Sequence, residues 1–249
     1  MPYWRGDGGT SKRFPRDSLK GMGDQIVYSA TRNPRFMTIS AIDLASLLCS
    51  RLCHDMLSPV GAMANGLELL AEERDAEMRG RIVELLEQSA KTSADKLKFF
   101  RLAFGAAGGY GEMVPCEEPR AAIEALAGNN RRITVNWNVS VASLPKPAVK
   151  VLLNLALFGI EALVRGGTLD IDAELREGSS EIAVRASGTR IAFDENVGKA
   201  LEGSLPQSEL SSRTAPAALA HQLAESLGGG LQYALTEGAL VMGAVLPGA

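Results

Sequence analysis

The chain has 249 residues, 26 Lys and Arg against 29 Asp and Glu, and a net charge of −3. That balance lacks the concentrated basic face of a nucleic-acid binder, and no run approaches the ~20 apolar residues of a membrane-spanning helix, so neither nucleic acid nor membrane is an expected partner. Cys49, Cys53 and Cys116 form no C-x-x-C pair and no ligand cluster, so free buried thiols, no bound metal and a reducing, cytoplasmic setting are expected.

Residues 1–36 are rich in Gly, Arg and Lys, carry no apolar period and no signal-peptide core, and are expected to be a disordered N-terminal extension. Met37 opens the first patterned stretch. From residue 38 to 70 the apolar residues Leu48, Leu52, Met56, Val60, Met63, Leu67 and Leu70 recur at helical spacing. Ser40 or Thr38 supplies an N-cap, and Asp43 suits the positive end of the helix dipole. His54, one of two histidines, lies two residues from both Leu52 and Met56. At ~100° per residue its ring therefore points off the stripe. Around it are Ser50, Arg51, Ser58, Gly61 and Asn65, mostly small or polar, which leaves room for another protein to approach. Pro59 cannot donate to the carbonyl of Asp55, so a loosened turn is expected there. A neutral imidazole accepts a phosphoryl group, and the adjacent carboxylate of Asp55 fixes its tautomer.

After a charged break at 71–76, a second helix is predicted over 77–104, closed by Gly105, Gly108, Gly109 and Gly111. Folding back about residue 74 brings residue 94 opposite residue 54, so Lys91, Ser93, Ala94 and Lys98 are expected across from the histidine. Lys91 and Lys98 there would attract a phosphate or an acidic partner. The hairpin is too small to bury its stripe alone, so a homodimer forming a four-helix bundle is expected.

The pattern then changes. A short helix at 119–128 precedes an alternating strand at 132–139, an apolar helix at 147–165, and two strands, 168–176 and 181–187, joined by a four-residue loop. A short helix near 196–202, a helix at 217–227 and a final hairpin, 231–235 with 239–246, complete the chain. The class is α+β: a helical hairpin (37–107) followed by a two-layer α/β sandwich (112–249).

The motif H-D-x-x-S-P at 54–59 resembles the dimerisation and phosphotransfer domain of bacterial histidine kinases, and the second domain is similar in element order to their ATP-binding domain. L-L-N-L-A-L-F-G-I-E-A-L at 152–163 resembles the asparagine-rich helix, V-R-A-S-G-T-R-I at 184–191 stands where a D-x-G-x-G loop would be, and L-G-G-G-L at 227–231 follows the position of a glycine-rich lid. The departures are as informative. Phe158 replaces the second, metal-holding asparagine, Ala186 the adenine-reading aspartate, and Arg190 a glycine where backbone approaches nucleotide. Residues 214–218 have no lid glycine. No ATP and no other cofactor are therefore expected, with Phe158 and Arg190 filling or blocking the vacated space.

A retained histidine beside a degenerate ATP site, together with L-C-S-R-L-C-H-D at 48–55, N-G-L-E-L-L at 65–70 and F-F-R-L-A-F-G-A-A-G-G at 99–109, resembles the ChpT family of alphaproteobacterial histidine phosphotransferases. The resemblance spans roughly residues 40–247. It implies a phosphorelay: the receiver domain of a hybrid histidine kinase (CckA-like) gives a phosphoryl group to His54, and response regulators (CtrA- or CpdR-like) take it onto aspartate, with Mg²⁺ held by the receivers. His54 and Asp55 are then the catalytic pair, and Arg51, Ser58, Gly61, Asn65, Lys91 and Lys98 the docking or phosphate-contacting residues. Two alternatives are a divergent active histidine kinase and a pseudokinase scaffold that binds receivers without phosphotransfer.

Overall fold

A helix that begins at a serine–aspartate cap and ends at an arginine-tied loop carries the histidine. In the computed structural model, which describes residues 39–105, 112–129 and 132–248 and the backbone of Tyr3–Arg5 and Ser11–Arg13, α1 spans Ala41–Glu72 and α2 spans Ala76–Ala103. Ser40 Oγ accepts from the Asp43 amide at 3.1 Å and donates to its carboxylate at 2.8 Å, closing the first turn. At the other end Arg79 donates to the carbonyls of Leu70 and Glu73 at 2.7 and 2.8 Å, and Asp75 caps α2 through the Met78 amide. The connection is three residues long, which makes α1 and α2 antiparallel neighbours. β1 (Tyr3–Arg5) and β2 (Ser11–Arg13) pair antiparallel within the stretch expected to be disordered. The rest of that extension, Met37, Thr38, and the closing glycines 108, 109 and 111 lie outside the described residues.

The second domain is built on a five-stranded sheet. Its strands are β4 (Ile133–Trp137), β6 (Gly167–Arg176), β7 (Ser179–Ser187), β8 (Gly230–Leu235) and β9 (Ala239–Pro247), in the order β4-β6-β7-β9-β8. Only β4 and β6 are parallel. The loop predicted at 177–180 tightens to two residues. Glu177 and Gly178 both have positive φ (50° and 76°), the conformation that matches the twist of a two-residue hairpin. Gly166 and Gly167, with φ of 85° and 143°, bring α4 (Lys146–Ala162) back onto β6. A Cβ at Gly167 would run into the Ser187 carbonyl, so the close approach requires glycine. A second, unpredicted sheet pairs β3 (Met113–Pro115) with β5 (Ser143–Pro145).

α3 (Glu117–Gly128), α4, α5 (Glu195–Leu201) and α6 (Ala215–Ser226) complete the domain. Leu152, Leu153 and Leu155 of α4 and Leu169, Ile171, Ile182 and Leu240 of the sheet are fully buried. The base of the hairpin joins the same core through Leu44, Phe99, Phe100 and Leu102, and Phe100 stacks on Phe104 with centroids 5.1 Å apart. The hairpin is thus rooted in the second domain, and its far half stands clear. Among the described residues no helix is long and apolar enough to cross a membrane.

Along that free half the predicted stripe is only partly covered. Leu52, Met56, Met63 and Leu70 are half-buried, whereas Val60 and Leu67 are exposed, as is Leu97 on α2. The expectation of buried thiols holds for Cys116 but is corrected for Cys49 and Cys53, which are exposed. The physical reason is their phase. At ~100° per residue Cys49 and Cys53 fall on the same line of α1 as Ile42, Val60 and Leu67, away from both α2 and the sheet domain.

Candidate phosphotransfer site

Pro59 leaves a backbone vacancy beside the histidine, and α2 fills it. The Asp55 carbonyl has no amide to accept from four residues on. Lys96 Nζ reaches across the hairpin to that carbonyl at 2.9 Å. The helix stays continuous through Pro59, which is buried. Lys96 was not among the residues expected opposite His54, and two of those are engaged elsewhere. Lys91 pairs with Asp95 on its own helix at 2.8 Å, and Ser93 is buried, donating to the Ser89 carbonyl. Lys98 is exposed and Ala94 is exposed.

The His54 side chain is 79% exposed. Its Nδ1 lies 3.1 Å from Asp55 Oδ1. An ionised carboxylate only accepts, so in the neutral ring this contact assigns the proton to Nδ1 and leaves the lone pair on Nε2. Ser58 and Asn65 on the same strip are exposed, Gly61 is half-buried, and a Cβ built at Gly61 would meet nothing within 4 Å. The approach to Nε2 is open.

Behind the pair is an ion cluster. Arg51, expected on the surface as a docking or phosphate contact, is buried instead, at 7% exposure. Its Nε donates to Asp55 Oδ2 at 2.8 Å, and its Nη2 donates to Glu161 Oε1 near the end of α4. Burial works against the guanidinium charge, yet Glu161 and Asp55 outweigh it and hold the pKa of Arg51 above its ordinary value. Burial at this place follows from phase: Arg51 stands seven residues after the buried Leu44, about 20° away round the helix at ~100° per residue, and so shares its core-facing line. Asp55 is therefore held by both oxygens, Oδ1 by the histidine and Oδ2 by the arginine.

The residues expected to fill or block a nucleotide space are divided. Phe158 and Ala186 are buried, at 2% and 0% exposure, whereas Arg190, expected to fill the same space, is exposed. Asn154, in the stretch expected to resemble the asparagine-rich helix, is buried and donates to the Lys150 carbonyl at 2.7 Å. His221 is half-buried, with Nδ1 3.0 Å from the Leu201 carbonyl, and is structural.

Residues 116–239 match the family described as Histidine phosphotransferase C-terminal domain, which puts the chain in the class of histidine phosphotransfer proteins. It is 34% identical over 196 residues to Protein phosphotransferase ChpT of Brucella abortus (strain 2308), a match spanning 77% of this chain and 90% of that relative. A solved structure described as a bacterial phosphotransferase superposes with a TM-score of 0.73 at 31% identity, covering 83% of this chain and 98% of that one. The chain belongs to the ChpT family and is a histidine phosphotransferase.

Proposed function

We propose that His54 is the phosphoryl carrier of a multistep relay. The observation that carries this reading is an exposed imidazole whose Nδ1 is held by Asp55, which leaves Nε2 free to act as nucleophile. A receiver domain bearing an aspartyl phosphate docks over Ser58, Gly61 and Asn65. The Nε2 lone pair attacks phosphorus, the P–O bond to the receiver's aspartate breaks, and that aspartate leaves as a carboxylate. The Nδ1 proton stays in place, so the ring becomes cationic, and the Asp55 carboxylate stabilises it. Reversal onto a second receiver returns the histidine to its starting state. Both receivers bring their own Mg²⁺, so this chain supplies a positioned nucleophile and no metal.

The donor is the receiver of a hybrid histidine kinase, CckA-like, and the acceptors are CtrA- or CpdR-like response regulators, as membership of the family suggests. The burial of Phe158 and Ala186 in the core, where a kinase has polar groups, supports independence from ATP. The unpaired apolar face of the hairpin supports a homodimer, with a second copy completing the bundle.

The test mixes the protein with a receiver phosphorylated on aspartate, ATP having been removed, and follows acid-labile, base-stable phosphate. Label is expected on wild type and absent from His54→Ala. Labelling of His54 from ATP alone would replace this reading with that of an active kinase. Receivers that bind without giving up phosphate would replace it with that of a scaffold.

A further inference from the structure

Glu161 is an odd residue at the end of α4. It occupies the last turn of a helix with no basic residue there, where the dipole disfavours a carboxylate. Its partner is Arg51, 110 positions earlier, whose guanidinium is buried and needs anionic company. Arg51 divides its donors between two carboxylates: Nε to Asp55 Oδ2, Nη2 to Glu161. Asp55 divides its oxygens likewise, between Arg51 and His54. The four side chains form one line from the second domain to the reacting ring.

The consequence follows from what Arg51 does without Glu161. A planar guanidinium favours a two-pronged grip on a carboxylate. With Nε already on Asp55 Oδ2, a released Nη2 completes that grip at Asp55 Oδ1, the oxygen that His54 uses. We propose that Glu161 is a positioning residue for phosphotransfer: by occupying Arg51 Nη2 it reserves Asp55 Oδ1 for His54 Nδ1. The second domain thereby sets the tautomer of a histidine that it does not carry. The link to transfer rests on the relay reading above, whereas the link to tautomer does not.

The experiment uses the full chain labelled with ¹⁵N. Only two histidines need assigning, and His54→Ala and His221→Ala assign them. The ring-nitrogen shifts of neutral His54 are expected to report protonated Nδ1 in wild type and to move toward protonated Nε2 in Glu161→Ala. Glu161→Gln, which keeps an acceptor for Nη2, is expected to restore most of the wild-type tautomer. Transfer from a phosphorylated receiver is expected to fall about tenfold in maximal rate in Glu161→Ala, the lower end of what loss of a histidine's orienting partner costs at metal sites. The receiver concentration at half-maximal rate is expected to stay put. Thermal unfolding confirms that each variant is folded.

An unchanged tautomer in folded Glu161→Ala would overturn the proposal, as would slower transfer with the tautomer intact. A tautomer shift in a protein whose wild type takes no phosphate would uphold the positioning and overturn the relay instead.

Discussion

Lys96 spends its charge on a carbonyl. Most lysines on an exposed helix end in water, but this one crosses to α1 and answers the donor that Pro59 lacks. A hydrogen bond from a charged donor is worth roughly 1.5–3 kcal/mol, so Lys96→Met is expected to lower stability by about that amount in urea unfolding. In a Pro59→Ala background the helix supplies its own amide, and the same substitution is expected to cost about 1 kcal/mol less. A double-mutant cycle measures the difference. The His54–Asp55 pair was legible in the sequence because its members are adjacent and their phase is set by one helix. Lys96, Glu161 and the burial of Arg51 were not, because each depends on a partner 41 or 110 positions away. Such pairing leaves no periodic trace. The one available signal was a proline four residues after Asp55, which marks a carbonyl in need of a donor without naming the donor.

The β6–β7 hairpin shows how an element can be right and its turn wrong. Both strands announce themselves by alternation, but Glu177 gives no hint of the positive φ it adopts. A non-glycine residue there costs about 1 kcal/mol, and asparagine tolerates that region better. Glu177→Asn, giving the Asn-Gly turn, is expected to stabilise the protein by about 0.5–1 kcal/mol, visible as a higher midpoint in thermal unfolding. α1, α2 and α4 were predicted to within a few residues because long apolar periods and caps define them. β3 and β5 were missed: three residues each, ending in Pro115 and Pro145, they are too short to show a period and exist only by pairing with one another. The parallel pairing of β4 with β6 likewise follows from the path of α4 and not from either strand's residues.

As a whole the molecule is finished at one end and open at the other. The base of the hairpin is sealed into the core, while Leu57, Val60 and Leu67 along the free half of α1, and Val83 and Leu97 on one face of α2, remain exposed. An exposed apolar face of that extent fits the proposed homodimer. Val60→Glu combined with Leu67→Glu is expected to convert a two-chain species into a folded monomer in sedimentation equilibrium, and a wild type of one-chain mass would contradict the homodimer. Cys49 and Cys53, on the same face, are expected to be slower to alkylate in the two-chain species. The Arg51–Asp55 pair, whose side chains are 8% and 16% exposed, has one more consequence, in its response to ionic strength. Charges exposed to water are screened within ~10 Å at 0.1 M salt, whereas buried ones are screened far less. Salt therefore acts unequally on the site: it reaches the surface charges that draw a receiver in and the exposed edge of Glu161, and it leaves the Arg51–Asp55 contact behind the imidazole far less disturbed.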